Sequence, residues 1–259
     1  MAVIENWAKR QLADYDRHEP GTLFADPTLR MSVDDAYALQ NEVARLRQER
    51  GELLAGYKIG CISRSVQSQL GLECPVSGHL YQTELYHSGV VLDSGNFDGL
   101  AIEGELAVRL AEDIPDAEWL RQHPKQALAA AFAVIELHHY VFRGSLPSAP
   151  ELIGNNAMHA GVVLPLHEPE FHNPEVLLDQ SIAVNRNSEV LGAATGRALP
   201  DGPLGSLVWL TEQLSHSGVQ LRRGQIVLTG SPLPLYRVAA GDHVAVTSSH
   251  SDTVTAVIV

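Results

Sequence analysis

The run Ile102-Glu103-Gly104-Glu105-Leu106-Ala107-Val108-Arg109-Leu110 puts small or apolar residues at its even positions and Glu103, Glu105, Ala107 and Arg109 at its odd ones. Such alternation predicts a strand with one apolar face. Both glutamates then share the other face, their Cα atoms roughly 6.7 Å apart, near enough for the carboxylates to converge on one ion. A third acid, Glu136, stands inside Ala-Ala-Ala-Phe-Ala-Val-Ile-Glu-Leu-His-His-Tyr, a run otherwise apolar enough to be buried. A lone buried carboxylate is costly unless it is paired or metal-bound, which makes Glu136 the natural third ligand. Oxygen ligands from Glu103, Glu105 and Glu136 suit Mg²⁺ or Mn²⁺ and leave positions for water and substrate. The same residues also fit a plainer arrangement, with Glu103 and Glu105 on a solvated sheet face and Glu136 paired to an arginine.

Lys58 is the second chemical signal. The chain has 18 Lys and Arg, and its only lysines are Lys9, Lys58 and Lys125. Lys58 lies in Ala55-Gly56-Tyr57-Lys58-Ile59-Gly60, a strand-like run punctuated by glycines. A buried amine can donate or accept a proton, its pKa set by desolvation against nearby carboxylates. The alternative is a lysine snorkelling from an edge strand. Among the histidines, His138 and His139 are adjacent, and strand neighbours point to opposite faces, so the pair is not expected to hold one ion. The histidines are therefore read as structural or supporting residues, and zinc is not expected. Cys61 and Cys74 lack the CxxC spacing of a redox or zinc site and are expected to be reduced, semi-buried packing residues. No GxSxG, HExxH, P-loop or GxGxxG pattern occurs, which withdraws the usual support for serine hydrolases, zincins, P-loop enzymes and nucleotide-dependent dehydrogenases.

Elements that could position these groups follow from periodicity. Ile4 to Tyr15 reads as an amphipathic helix, with Trp7, Ala8 and Leu12 on one face. A second helix begins after Ser32, a cap with Asp35 three residues on, and stops at Gly51. Beyond Gly51 the pattern predicts strands at 54–59, 90–92, 100–110, 131–141, 159–164, 181–185, 225–228, 244–246 and 253–258. Helices are predicted at 117–122, extended through 125–130, and at about 203–215. The fold class is α+β, a helical segment over residues 1–51 followed by a strand-rich core over 52–259. With 259 residues, 31 Asp and Glu against 18 Lys and Arg, and a formal charge of −13, the chain lacks the basic footprint of a nucleic-acid or anionic-membrane binder. No apolar run approaches the roughly 18 residues of a membrane span, and the first residues are too polar for a signal peptide, so the cytoplasm is the expected location.

Several segments in order carry a resemblance. They are Gly56-Tyr57-Lys58-Ile59-Gly60, Gln69-Leu70-Gly71, Glu103-Gly104-Glu105, Glu136, Pro203-Leu204 with Trp209-Leu210, Leu228-Thr229-Gly230-Ser231 and Ala240-Gly241-Asp242. Together they resemble the fumarylacetoacetate hydrolase superfamily, in its branch of 2-keto-4-pentenoate hydratases and 4-oxalocrotonate decarboxylases. The resemblance implies a mixed β-sandwich or roll core. It implies Mg²⁺ held by Glu103, Glu105 and Glu136, with Lys58 as the acid/base residue and Gln69, Asn156, Thr229 and Ser231 around the substrate. Homodimers or larger assemblies, sometimes with a sister enzyme, and small 2-oxo or 2-hydroxy-dienoic acid substrates are implied as well. Two acids of the family pattern are replaced by neutral residues, at Val76 in Pro75-Val76-Ser77-Gly78 and at Asn155 in Asn155-Asn156-Ala157.

The leading functional expectation is a metal-dependent hydratase adding water to a dienoate. Decarboxylation of a 4-oxalocrotonate type of acid, or hydrolytic cleavage of an acylpyruvate with His79 or His159 as base, uses the same site. A non-catalytic scaffold partner is a third reading, opposed by the intact Lys58, Glu103, Glu105 and Glu136.

Overall fold

Ser32 and Asp35 close a reciprocal cap, the Ser32 hydroxyl accepting from the Asp35 N–H and the Asp35 carboxylate from the Ser32 N–H, each at 3.1 Å. This fixes the start of the second helix where the sequence put it. The computed structural model describes residues 2–19, 21–142 and 146–259. Along the chain run α1 (Ala2–Asp16), α2 (Val33–Glu49), β1 (Leu54–Gly60), α3 (Arg64–Leu70), β2 (Val76–Tyr81), β3 (Leu85–His87) and β4 (Val90–Leu92). Then come β5 (Ala101–Leu110), α4 (Ala117–Gln122), α5 (Pro124–Ala127), β6 (Leu128–His138), α6 (Ala149–Gly154), β7 (His159–Leu164) and α7 (Pro174–Asp179). The rest is β8 (Ser181–Arg186), β9 (Glu189–Thr195), α8 (Gly202–Ser215), β10 (Ile226–Leu228), β11 (Tyr236–Arg237), β12 (His243–Ser248) and β13 (Val254–Ile258).

The strands form two sheets. The larger has the order β2-β1-β10-β5-β6-β7-β3, with β11 also pairing with β5, and the smaller has the order β4-β13-β12-β8-β9. Pairings are mixed: β1 with β10 and β3 with β7 are parallel, while β5 with β6 and β6 with β7 are antiparallel. Leu80 of β2 and Val162 of β7, from well-separated strands, share one apolar cluster with Phe132 and Val134, so the large sheet curls around that face. The even residues of β5 face the other way. Ile102 and Leu106 pack with Val184, Val244 and Val246 of the small sheet, which is the interlocked face-to-face packing of a sandwich.

Gly104, between the two glutamates, is set by this packing. A Cβ there would lie 2.6 Å from Val184 Cγ2 and 3.2 Å from Val246 Cγ2. Gly104→Ala should therefore destabilise the protein by about 1–3 kcal/mol, the usual cost of overpacking, measurable as a lower urea midpoint at unchanged m-value.

The N-terminal helices form a further layer. Ala8 and Trp7 of α1 pack with Leu39, Val43 and Leu46 of α2. Gln40 of α2 donates to the Ser77 carbonyl at 2.9 Å and the Ile153 carbonyl at 2.8 Å, tying the helix to β2 and α6. Residues 128–130, expected to extend a helix, instead open β6, because Leu128 and Ala130 to Ala133 pair with β5 and tertiary pairing overrides alanine's helical preference. Both cysteines are free, Cys61 partly buried and Cys74 exposed rather than semi-buried. Among the described residues, no helix is long and apolar enough to cross a membrane.

Candidate active site

The antiparallel register of β5 and β6 sets Glu103 directly opposite Glu136, and Glu105 opposite Val134. Direct cross-strand partners on one face are close neighbours, so two carboxylates separated by more than thirty residues meet by register alone. Glu105 and Glu136 are fully buried and Glu103 partly so. That removes the solvated-face arrangement. Lys58 is also buried, and β1 lies between β2 and β10, so it is not an edge-strand lysine. Its Nζ stands 3.4 Å from Glu136 Oε1 and donates to the Ala157 carbonyl at 3.3 Å.

His138 joins the acids. It lies two residues beyond Glu136 on the same strand, hence on the same face, and its Nε2 is 3.2 Å from Glu103 Oε2 and 3.6 Å from Glu136 Oε2. His139 points away and packs against Phe97 and Tyr15. The adjacency of the two histidines hid this. The usable signal is Glu136-x-His138, an i, i+2 pair on a strand.

Ligand atoms of Glu103, Glu136 and His138 lie within 4.8 Å of one another. Glu136 Oε2, Glu105 Oε1 and both ring nitrogens of His138 are buried without a hydrogen-bond partner. Orphaned buried polar atoms around concentrated negative charge fit a divalent cation, with one His138 ring nitrogen free to act as acceptor, and a mainly oxygen donor set suits a hard one. Glu105 stands outside that trio. Its Oε2 accepts from the Gly230 N–H at 2.9 Å. Burial, then the charges of Glu136 and Glu103, push its carboxyl well above the usual range. Burial also pushes Glu136 upward, but Lys58, His138 and His159 outweigh it and hold that carboxyl ionised. For Lys58 the desolvation cost is likewise overcome by Glu136, Glu105 and Glu103, so the amine stays an ammonium.

Behind Glu136 the polar chain continues. His159 Nδ1 is 2.8 Å from Glu136 Oε1, and its Nε2 faces Glu84 Oε2 at 3.8 Å. Glu84 accepts from Tyr15 of α1 and, at 2.6 Å, from Arg47 of α2. The Arg47 guanidinium also binds Glu52 and lies 3.5 Å from the centre of the Tyr81 ring. A cavity of about 60 Å³ lies here, lined by Tyr15, Arg47, Asn155 and His159 among others.

The front of the site opens into a cavity of about 570 Å³ with Lys58, Glu103 and His138 in its wall. Gln69, on α3, and Ser231 line it too. Thr229 is fully buried and donates its hydroxyl to the Leu106 carbonyl at 2.7 Å, outside the cavity wall. Asn156 grips the backbone of His79, accepting from its N–H at 2.7 Å and donating to its carbonyl at 2.8 Å. Asn156, Ala157 and Met158 all have left-handed φ values of 53°, 50° and 65°, a conformation costing about 1–2 kcal/mol for each non-glycine residue. The Asn156 clamp holds this strained turn, which aims the Ala157 carbonyl at Lys58 and presents Ala157 and Met158 to the cavity. Val76 is in the cavity wall, and Asn155 accepts at 2.6 Å from Gln11 on the far side.

Neither His79 nor His159, the expected bases for hydrolysis, is in the wall of the large cavity. The His79 ring sits between Tyr57 and Tyr81, and burial pushes its pKa down to about 4. A histidine depressed in the fold contributes full stability above about pH 6.5 and loses it as pH falls toward 4. Between pH 7 and 5 this amounts to about 2 kcal/mol. His79→Phe should remove that slope, so urea unfolding should show the variant losing about 2 kcal/mol less than the parent over the same interval.

The profile of the fumarylacetoacetate (FAA) hydrolase C-terminal family matches residues 82–259. The chain belongs to the fumarylacetoacetate hydrolase family. Within that family it is 31% identical over 211 residues to a 2-keto-4-pentenoate hydratase of Burkholderia vietnamiensis strain G4, spanning 81% of this chain and 80% of that one. It is 25% identical over 252 residues to a 4-oxalocrotonate decarboxylase of Pseudomonas putida, spanning 95% and 91%. The fold of this family member superimposes on 4-oxalocrotonate decarboxylase from Pseudomonas putida G7, complexed with magnesium and adipate, with a TM-score of 0.89 at 22% identity, covering 100% and 98% of the two chains. The sandwich expected from the sequence is the fold observed.

Proposed function

We propose that this family member is a divalent-metal-dependent lyase that adds water to 2-hydroxy-2,4-dienoic acids, as a 2-keto-4-pentenoate hydratase does. The observation that carries the reading is the convergence of Glu103, Glu136 and His138 beside a buried ammonium, Lys58, at the wall of one cavity. Those three residues, with Glu105 behind them, would hold Mg²⁺ or Mn²⁺. The bound ion would supply Lewis-acid stabilisation of charge on the carboxylate and 2-oxygen of the acid.

The chain's own groups do the rest. Lys58 is held by Glu136 and the Ala157 carbonyl, so its proton has a fixed direction. Nζ passes that proton to the terminal carbon as the 2-hydroxyl gives up its own, a tautomerisation with no net proton uptake. The product is an unsaturated 2-oxo acid whose alkene accepts water. Gln69 stands at the cavity wall, within reach of substrate, while Ser231, whose hydroxyl bonds to the Gly104 and Leu233 backbone, acts like Thr229 and Asn156 through the backbone it braces.

One observation favours a second reading. Val76 stands in the wall where the family pattern carries an acid, and decarboxylation, unlike hydration, needs no carboxylate to activate water. Purified protein with 2-hydroxypenta-2,4-dienoate should show loss of dienoate absorbance that depends on Mg²⁺. Release of CO₂ from 4-oxalocrotonate with the dienoate untouched would assign decarboxylation instead. Failure of both, with no Mg²⁺ binding by calorimetry, would leave the scaffold reading.

A further inference from the structure

Two buried carboxylates at the site share a pattern in which one oxygen is bonded and the other is left over. Glu105 accepts the Gly230 N–H on Oε2 and keeps Oε1 without a partner. Glu136 is bonded on Oε1, 2.8 Å from His159 Nδ1 and 3.4 Å from the Lys58 ammonium, and keeps Oε2 without a partner. That left-over oxygen is on the cation side, 3.6 Å from His138 Nε2. For Glu105 the tie is main chain. For Glu136 it is a side chain.

Nothing in Glu136 itself selects Oε2. The terminal torsion of a glutamate is broad and roughly two-fold, so the carboxylate can turn either oxygen forward. An ionised carboxylate only accepts, so Nδ1 is the nitrogen of His159 that carries the hydrogen. A charge-assisted bond of 2.8 Å from a fixed ring does select one oxygen. An ammonium at 3.4 Å on a flexible stem holds the carboxylate less firmly.

The His159 ring is fixed in turn. Its backbone stands opposite His138 in the β6–β7 register, and the side chain is buried. Its Nε2 faces Glu84 Oε2 at 3.8 Å, and Glu84 is gripped through its other oxygen by Tyr15 and Arg47. Those two outer anchors precede the residues 82–259 that the family profile matches.

We propose that His159 is a positioning residue for the cation: by holding Oε1 of Glu136 it assigns Oε2 to the ion. This role rests on the reading of Glu103, Glu136 and His138 as cation ligands.

Two substitutions of similar polarity separate position from packing. In His159→Asn an amide N–H can stand where Nδ1 stands, whereas in His159→Gln the amide reaches the Nε2 position and leaves Oε1 without its bond. His159→Gln should weaken Mn²⁺ binding in calorimetry by about 10–100-fold, the usual worth of a partner that orients a ligand, with His159→Asn within about threefold of the parent. For a variant only partly folded without metal, the Mn²⁺-dependent shift of the urea midpoint reports the same affinity. In a Glu136→Gln background, His159→Gln should add little further loss, because a residue that acts only through Glu136 has nothing left to orient. Equal affinities for the two His159 variants, or a loss that persists in full in the Glu136→Gln background, overturn the role of His159 and leave the site reading intact. A parent that binds no Mn²⁺, or whose affinity Glu136→Gln leaves unchanged, overturns both.

Discussion

Lys58→Met should lower kcat on a dienoate by about 10²–10⁴-fold, the range contributed by a well-placed acid or base, with KM changed only a few-fold. Methionine fills the buried volume without the charge, at a cost in metal-free stability because the buried Glu136 carboxylate loses its ammonium partner. Divalent-ion affinity should hold or rise, because the ammonium 3.4 Å from Glu136 no longer competes for that carboxylate. Steady-state kinetics alongside Mn²⁺ titration separates these quantities. A variant that keeps parental kcat removes Lys58 from the proton transfer, and one that loses ion binding with it assigns the lysine to assembling the site.

Glu136→Gln should act on both binding and stability. Glu136 contacts Lys58, His138 and His159 at once, so it is the hub of the cluster. Partners that only support a ligand are worth about 10–100-fold in metal affinity, so loss of the ligand itself should weaken Mg²⁺ or Mn²⁺ binding by at least about 100-fold. In metal-free protein the neutral amide leaves a buried ammonium without its nearest counter-charge, a change that typically costs about 3–5 kcal/mol. Urea unfolding in excess chelator measures that loss and calorimetry measures the first. Unchanged ion binding in the variant would exclude Glu136 as a ligand.

How far the sequence revealed this site depended on whether chemistry and periodicity were local. The Glu103 and Glu105 alternation was legible because β5 presents one face to the small sheet and the other to the site. Glu136 was legible as an acid in an apolar run, but its place opposite Glu103 is a register, set by pairing between distant strands. His138 was obscured because its adjacent histidine points to the opposite face, and its partner on the site face is Glu136, two residues before it on β6. β2 went unseen since all its positions are buried and Ser77, Gly78 and His79 interrupt the apolar pattern. α3, which carries Gln69, is a seven-residue helix rich in serine and glutamine, too short and polar to show a period. β9 carries Gly192, Ala193 and Ala194 at a sheet edge, where strand preference is weak. The roles of Thr229 and Asn156 as braces were invisible for another reason: a side chain that bonds to backbone has the same sequence signature as one that bonds to a ligand.

The polar line from Glu136 through His159 and Glu84 to Tyr15 and Arg47 has a consequence for engineering. The opening helices cannot be treated as an interchangeable cassette. A chimera that imports another relative's first fifty residues exchanges Tyr15 and Arg47 together, and Glu84 then confronts new partners one histidine away from Glu136. Grafts across this seam should succeed only when Tyr15, Arg47, Glu84 and His159 travel as a set.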